Sequence, residues 1–314
     1  LLNEVVEYSN LQPSSLVVDC TTGGGSHSQA LLNKMKQSQT GKIYCLDQDQ
    51  EAIEHLSNKF EQETQQDKIQ IIHSKFSNLE TIAKQYQLSN QISFILADLG
   101  VSSHQIDSPE RGFSFQKDGP LDMRMNNTSN TTTAADIVNN ESESYLVEIF
   151  FKYGEEPKSR AIAKSIVRER TNKAITTTLQ LSNIVSSCYH YKIKPKKNPA
   201  TKVFQALRIA VNQELQEVEN LLSTAPKLLK SGGRLGIITF HSLEDKLVKN
   251  HFKKLSGAIY DKVLSKLPVR GVDNSLLSSQ IGKIIKPFPI KPSEAETLKN
   301  PRARSAKLRV FEKF

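Results

Sequence analysis

The stretch SLVVDCTTGGGSHSQALL (15–32) decides how the chain is read. Three apolar residues, Leu16 to Val18, run into Asp19, and three consecutive glycines follow at Gly23, Gly24 and Gly25. Apolar positions resume at Ala30, Leu31 and Leu32. The pattern is a short buried strand, a tight turn and the start of a helix. Glycines let the backbone bend sharply and approach a ligand at the carboxyl end of a sheet, where open α/β sheets bind their ligands.

The same alternation continues outward. KIYCLD (42–47), KIQIIH (68–73) and ISFILAD (92–98) read as further strands, with a helix from about Asp49 to Phe60. Four strand–helix units predict an α/β fold with a parallel sheet and right-handed crossovers. The strand signal weakens from about Gly112 to Pro199. There YLVEIFFKYG (145–154) and SRAIAKSIVRER (159–170) carry apolar residues at helical spacing, and the Asn- and Thr-rich segment from Asn126 to Asn140 reads as a loop. After it come a helix from about Ala200 to Leu229, a strand in GGRLGIITF (232–240), a helix capped by Ser242, and KLRVFEK (307–313), which alternates like an edge strand. The expected organisation is a discontinuous sheet domain, 1–111 with 200–314, and an inserted helical domain, 112–199.

Composition bounds the rest. The chain has 314 residues, 37% of them apolar, enough for a substantial core. A net charge of +9 favours a polyanionic partner without selecting one. Three cysteines, Cys20, Cys45 and Cys188, form no Cys-x-x-Cys pair, which argues against a disulfide framework or structural zinc; Cys20 and Cys45 read as small core residues. No apolar run approaches the roughly 18 residues of a membrane span. The chain begins at Leu1 rather than Met, so an N-terminal piece, and any targeting segment with it, is expected to be missing.

Asp47 ends the second strand, 24 positions after Gly23, where a carboxylate suits a ribose diol. A dinucleotide fingerprint needs a third glycine at position 28, which is Ser28, and this counts against NAD. S-adenosylmethionine has no pyrophosphate and needs only the wide turn. Taken alone, the glycine cluster leaves a purely structural turn open beside a nucleotide-type ligand. Asp98 ends strand four, where its carboxylate would attract a sulfonium or accept a hydrogen bond from an amine, or simply hold a turn.

At DLGVSSHQ (98–105) and RGFSFQKDGPLDMRM (111–125) the sequence resembles the RsmH (MraW) family of 16S ribosomal RNA cytosine-N4 methyltransferases and their mitochondrial relatives. The resemblance continues through YGEEPKSRAIAKSIV (153–167), NPATKVFQALRIAVNQEL (198–215), GGRLGIITFHSLEDKLVK (232–249) and NPRARSAKLR (300–309), and so covers nearly the whole chain. It implies a class I, Rossmann-like methyltransferase sheet with an inserted helical domain, and S-adenosylmethionine as methyl donor. It places donor contacts on Gly25, Ser26, His27, Asp47, Phe76, Asp98 and Gln105, with Phe76 against the adenine and no metal. The sequence departs from the family at Ser26, where Gly is usual, and at Asn198 and Lys202, where His and Arg are usual.

The family reaction implies a flipped or unpaired cytidine of small-subunit ribosomal RNA, within the RNA or the small ribosomal subunit, and no membrane partner. Asp98 is the candidate catalytic residue, as acceptor for the target amine. No aromatic directly follows it, so Phe113, Phe115 and Phe240 are candidates to stack the base, with a plain core role open for each, and His241 is a candidate general base. Lysines and arginines cluster at Arg111/Lys117/Arg124, at Lys192 to Lys202 and at Arg302/Arg304/Lys307/Arg309, and at least one cluster is expected to hold phosphates. Two readings compete: a methyltransferase of this fold with another substrate, and a non-catalytic RNA-binding assembly factor. The compartment is the cytoplasm in a bacterium or the mitochondrial matrix in a eukaryote.

Overall fold

A computed structural model describes residues 1–36, 40–189, 198–257 and 280–314. They form two compact units, Leu1–Gly100 with Gln216–Phe314, and Val101–Leu215.

The first unit is built on seven strands: β1 (Leu16–Asp19), β2 (Lys42–Asp47), β3 (Ile69–His73), β4 (Ile92–Asp98), β5 (Leu229–Thr239), β6 (Gly282–Ile290) and β7 (Lys307–Lys313). Their order is β3-β2-β1-β4-β5-β7-β6. The first five are parallel; β7 runs antiparallel to β5, and β6 antiparallel to β7. This is the class I methyltransferase sheet. The central strands are apolar on both faces because both are covered. Val18, Tyr44, Leu46, Ile95 and Ala97 enter one core, with helices α5 (Leu79–Gln85), α12 (Glu214–Leu228) and α13 (Ser242–Leu255). Val17, Ile43, Cys45, Phe94 and Leu96 alternate into the other, with α1 (Leu2–Tyr8), α2 (Ser26–Lys34) and α3 (Gln50–Lys59). Cys20 and Cys45 are buried, one in each core, and all three cysteines are free thiols.

Two readings of this unit change. KLRVFEK is an inner strand, not an edge, since β7 pairs on both sides. The true edge is β6, whose Pro287 and Pro289 cannot donate to a further neighbour. The cap of α13 is His241 rather than Ser242, which is already helical.

The second unit holds α6 (Ser103–Asp107), α7 (Ala134–Asn140), α8 (Glu143–Lys152), α9 (Ser159–Asn172), α10 (Thr178–Ser187) and α11 (Ala200–Asn212). Leu146, Ile149 and Phe150 of α8 meet Ile162, Ala163 and Ile166 of α9 in one core, as their spacing predicts. The segment read as a loop from Asn126 to Asn140 contains α7, started by a reciprocal Thr133–Asp136 capping box and buried through Ile137 and Val138. The unit is wider than 112–199 at both ends. Val203, Phe204 and Leu207 of α11 are buried in its core, and Arg111 donates to the carbonyls of Arg124 and Met125. The single helix expected from Ala200 to Leu229 breaks at Gln213, whose φ of 51° separates α11 from α12. Among the described residues no helix is long and apolar enough to cross a membrane.

Candidate active site

Three neighbouring parallel strands end on aspartate: β2 at Asp47, β1 at Asp19 and β4 at Asp98. Strand spacing of about 4.8 Å gathers these carboxylates on one edge. Each is held differently. Asp19 is enclosed and accepts from the Ser28 hydroxyl at 2.7 Å and the Thr21 N–H at 3.3 Å. Burial outweighs both bonds and pushes its carboxyl up to about 6. Asp47 accepts from the N–H of Gly23 at 2.7 Å and of Asp49 at 2.9 Å, tying the glycine turn to β2. Burial raises its carboxyl despite those bonds.

Asp98 is the least satisfied. Its backbone N–H donates to Thr21 Oγ1 at 2.6 Å. Its Oδ1 is closed off from water and has no hydrogen-bond partner among the described residues, although 29% of the side chain as a whole stays accessible. Burial, reinforced by repulsion from Asp19, pushes this carboxyl up to about 7. His27 Nδ1 lies 3.7 Å from Asp98 Oδ2, but burial lowers His27 to about 4, so the ring is neutral at pH 7 and supplies no compensating charge.

The turn between β1 and α2 separates two duties. Gly25 is the N-cap of α2 with φ 75°, and a Cβ there would stand 2.7 Å from Phe60 and 2.9 Å from Leu56. At Gly24 a Cβ would meet nothing within 4 Å, so this side of the turn is open. Ser26, where the family pattern has Gly, is an exposed first residue of α2, a position that accepts any side chain. Phe76 opens a short 3-10 turn just after β3 and is partly buried against the sheet core.

The geometry thus places Gly25, Ser26, His27, Asp47, Phe76 and Asp98 on the sheet unit, at or just beyond the carboxyl ends of its strands. Gln105 belongs to the helical unit, where it is buried and closes a capping box with Ser102. Phe113 and Phe115 also lie there, partly buried, with Phe115 edge-on to Phe204 at 4.9 Å. His241 caps α13 through Nδ1, which accepts from the Glu244 N–H at 3.4 Å; its Nε2 stands 3.1 Å from Glu244 Oε1 and makes no hydrogen bond among the described residues. Sequence reasoning missed Asp19, Thr21 and Ser28 as supports of this edge. The available signal was a polar Ser28 next to the apolar positions of α2, read only as a missing glycine.

The basic clusters divide. Arg111 and Arg124 are used structurally, Arg124 forming a two-pronged bridge to Asp122 at 2.8 and 2.7 Å. Lys192, Lys194, Lys196 and Lys197 lie outside the described residues, and Lys202 donates to the Glu155 carbonyl at 2.6 Å. In the third cluster Lys307 and Arg309 both meet Asp245, at 3.1 and 2.9 Å.

A row of three carboxylates, Asp19 enclosed and Asp47 and Asp98 half-buried, with one closed-off Asp98 oxygen unsatisfied, is unfavourable by itself and is relieved by a ligand bringing positive charge or N–H donors. Comparison with known proteins shows what the chain is similar to. A family model described as the MraW methylase family matches residues 1–314. Ribosomal RNA small subunit methyltransferase H of Mycoplasma mycoides subsp. mycoides SC is 46% identical over 314 residues, covering 100% of this chain and 97% of that protein. The protein of the same name from Carboxydothermus hydrogenoformans is 42% identical, covering 100% and 96%. A crystal structure of a putative rRNA-methylase from Clostridium thermocellum aligns with a TM-score of 0.45 at 11% identity, covering 100% of this chain and 97% of that one.

Proposed function

Because the chain belongs to the MraW methylase family, we propose that it methylates the N4 amine of a cytidine in small-subunit ribosomal RNA, using S-adenosylmethionine. The observation that carries the reading is the unsatisfied Asp98 Oδ1 beside the open glycine turn. The residues present fit the donor. Asp47, at the end of β2, would accept from a ribose diol beside its bonds from Gly23 and Asp49; Gly24 leaves room for close approach; Phe76 offers an aromatic face; Asp98 supplies negative charge. His27 lies against Asp98, and Gln105 completes the set that the family resemblance implies.

S-adenosylmethionine brings a sulfonium methyl open to nucleophilic attack. The cytosine N4 lone pair is delocalised into its ring and is a weak nucleophile, so alignment and charge stabilisation carry the reaction. Asp98 accepts an N–H of the amine as positive charge develops on nitrogen. A carboxylate whose proton affinity lies near neutrality is well matched to this work. Thr21 and Ser28 act as positioning residues, holding the end of β4 and the neighbouring Asp19.

The bacterial relatives make the cytoplasm the compartment this reading implies, and the small ribosomal subunit or its RNA the partner. Incubating the protein with labelled S-adenosylmethionine and unmodified small-subunit RNA, then digesting to nucleosides, tests the assignment. N4-methylcytidine is the expected product. Label appearing in protein, or in another nucleoside, would redirect the substrate, and failure to bind the donor would leave a non-catalytic RNA-binding role.

A further inference from the structure

Beyond β5 the same sheet edge opens into a second feature, a cleft of about 410 Å³ between the Thr239–Ser242 turn and the segment around β6 and β7. Its lining contains three cations, Lys291, Arg304 and Lys307, and no carboxylate. Two acids of α13 lie just behind this lining and both are engaged: Glu244 accepts from the Phe240 N–H at 2.9 Å and stands 3.1 Å from His241, and Asp245 is matched by Lys307 at 3.1 Å and Arg309 at 2.9 Å. Lys291 and Arg304 are exposed, and among the described residues neither side chain has a hydrogen bond or ion pair. Ser305 and the aromatic Phe240 also line the cleft.

The position relative to Asp98 gives the cleft its meaning. Asp98 is in register with Ile238 of β5, and Thr239 is in register with Lys307 of β7. The cleft therefore begins one strand away from the candidate acceptor and extends one strand further, roughly 10 Å in all. We propose that this cleft holds a backbone phosphate of the RNA strand close to the target cytidine, with Lys291 and Arg304 as its cationic ligands. The inference rests on the rRNA reading above and adds where the strand is gripped. Unpaired Lys and Arg heads at a mouth without acids are suited to phosphate, Arg by a planar fork and Lys by point charge. An adjoining aromatic gives a flanking base a surface on which to stack without sequence preference. The arrangement fixes register and leaves identity to the base pocket.

The double variant Lys291→Gln/Arg304→Gln tests it, since both side chains are exposed and neither touches the donor site. With an unmodified small-subunit RNA transcript, KM for RNA should rise about tenfold while kcat stays within about twofold. The slope of log affinity against log salt should become shallower by roughly one. Donor affinity should not change, and Lys291→Arg/Arg304→Lys should restore most of the binding. An unchanged KM and salt slope would overturn the proposal. A wild-type protein inactive on this RNA would fail the rRNA reading instead, and the salt slope would still decide whether the cleft binds RNA.

Discussion

His27 Nδ1 and Asp98 Oδ2 lie 3.7 Å apart, joining the first turn of α2 to the end of β4 across the glycine bend. Burial acts on the two in opposite senses: it lowers His27 to about 4 and pushes Asp98 up to about 7. The pair is therefore not an ion pair at neutral pH. It is a neutral ring beside a carboxyl that burial holds well above the usual carboxylate range.

The first consequence is a pH-dependent donor affinity. A sulfonium favours the ionised form of Asp98, so affinity should be full above pH 7 and fall as pH drops below it, by up to about tenfold per unit. S-adenosylhomocysteine, which lacks the positive charge, should show a much shallower dependence. Calorimetric titration between pH 5.5 and 8.5 measures both, and parallel curves for the two ligands would contradict this account of Asp98.

Asp98→Asn should separate function from stability. Turnover on RNA should fall by at least about a hundredfold, the scale seen when a group stabilising transition-state charge is removed. The unliganded protein should be no less stable, and more stable at pH 8 by about 1 kcal/mol, because a half-buried charge with one closed-off, unsatisfied oxygen is removed. The sign follows from linkage. A carboxyl raised by folding is best tolerated below its unfolded value near 4, and its penalty grows until pH passes about 7. Thermal melts at pH 5 and pH 8 should thus show the gain only at the higher pH; wild-type turnover in the variant would remove Asp98 from the mechanism.

Adjacent glycines should respond differently to alanine. Gly25→Ala combines φ 75° with contacts of 2.7 and 2.9 Å to Phe60 and Leu56, and should cost roughly 1–3 kcal/mol in denaturant unfolding. Gly24→Ala meets nothing within 4 Å and should leave the unfolding midpoint nearly unchanged while weakening donor binding. Equal effects of both on stability would refute the division of labour in the turn.

Ser28→Ala removes the hydroxyl that donates to buried Asp19 at 2.7 Å. The expected loss is about 1–3 kcal/mol, larger above pH 6, where the Asp19 carboxylate would be ionised and left with fewer donors. Urea melts at pH 5 and pH 8 resolve this, and a loss independent of pH would assign Ser28 to packing alone.

Much of this protein is written locally. Apolar runs ending in Asp19, Asp47 and Asp98 gave the parallel strands, the glycine run gave the turn between β1 and α2, and helical spacing gave α8 and α9, because period and turn chemistry depend only on neighbours in the chain. What depended on distant partners was decided by the tertiary structure. The Pro-containing segment Gly282–Ile290 became the outer strand only because β7 offered it a partner, and β7 thereby moved inside the sheet. The helix Ala200–Asn212 joined the helical unit because its apolar face is buried there, which no composition shift announces. Likewise three strand-end aspartates look alike in one dimension. Which is bonded by Ser28, which by Gly23 and which is left with an unsatisfied oxygen follows from strand order and the path of one turn, through contacts spanning up to 77 positions of sequence.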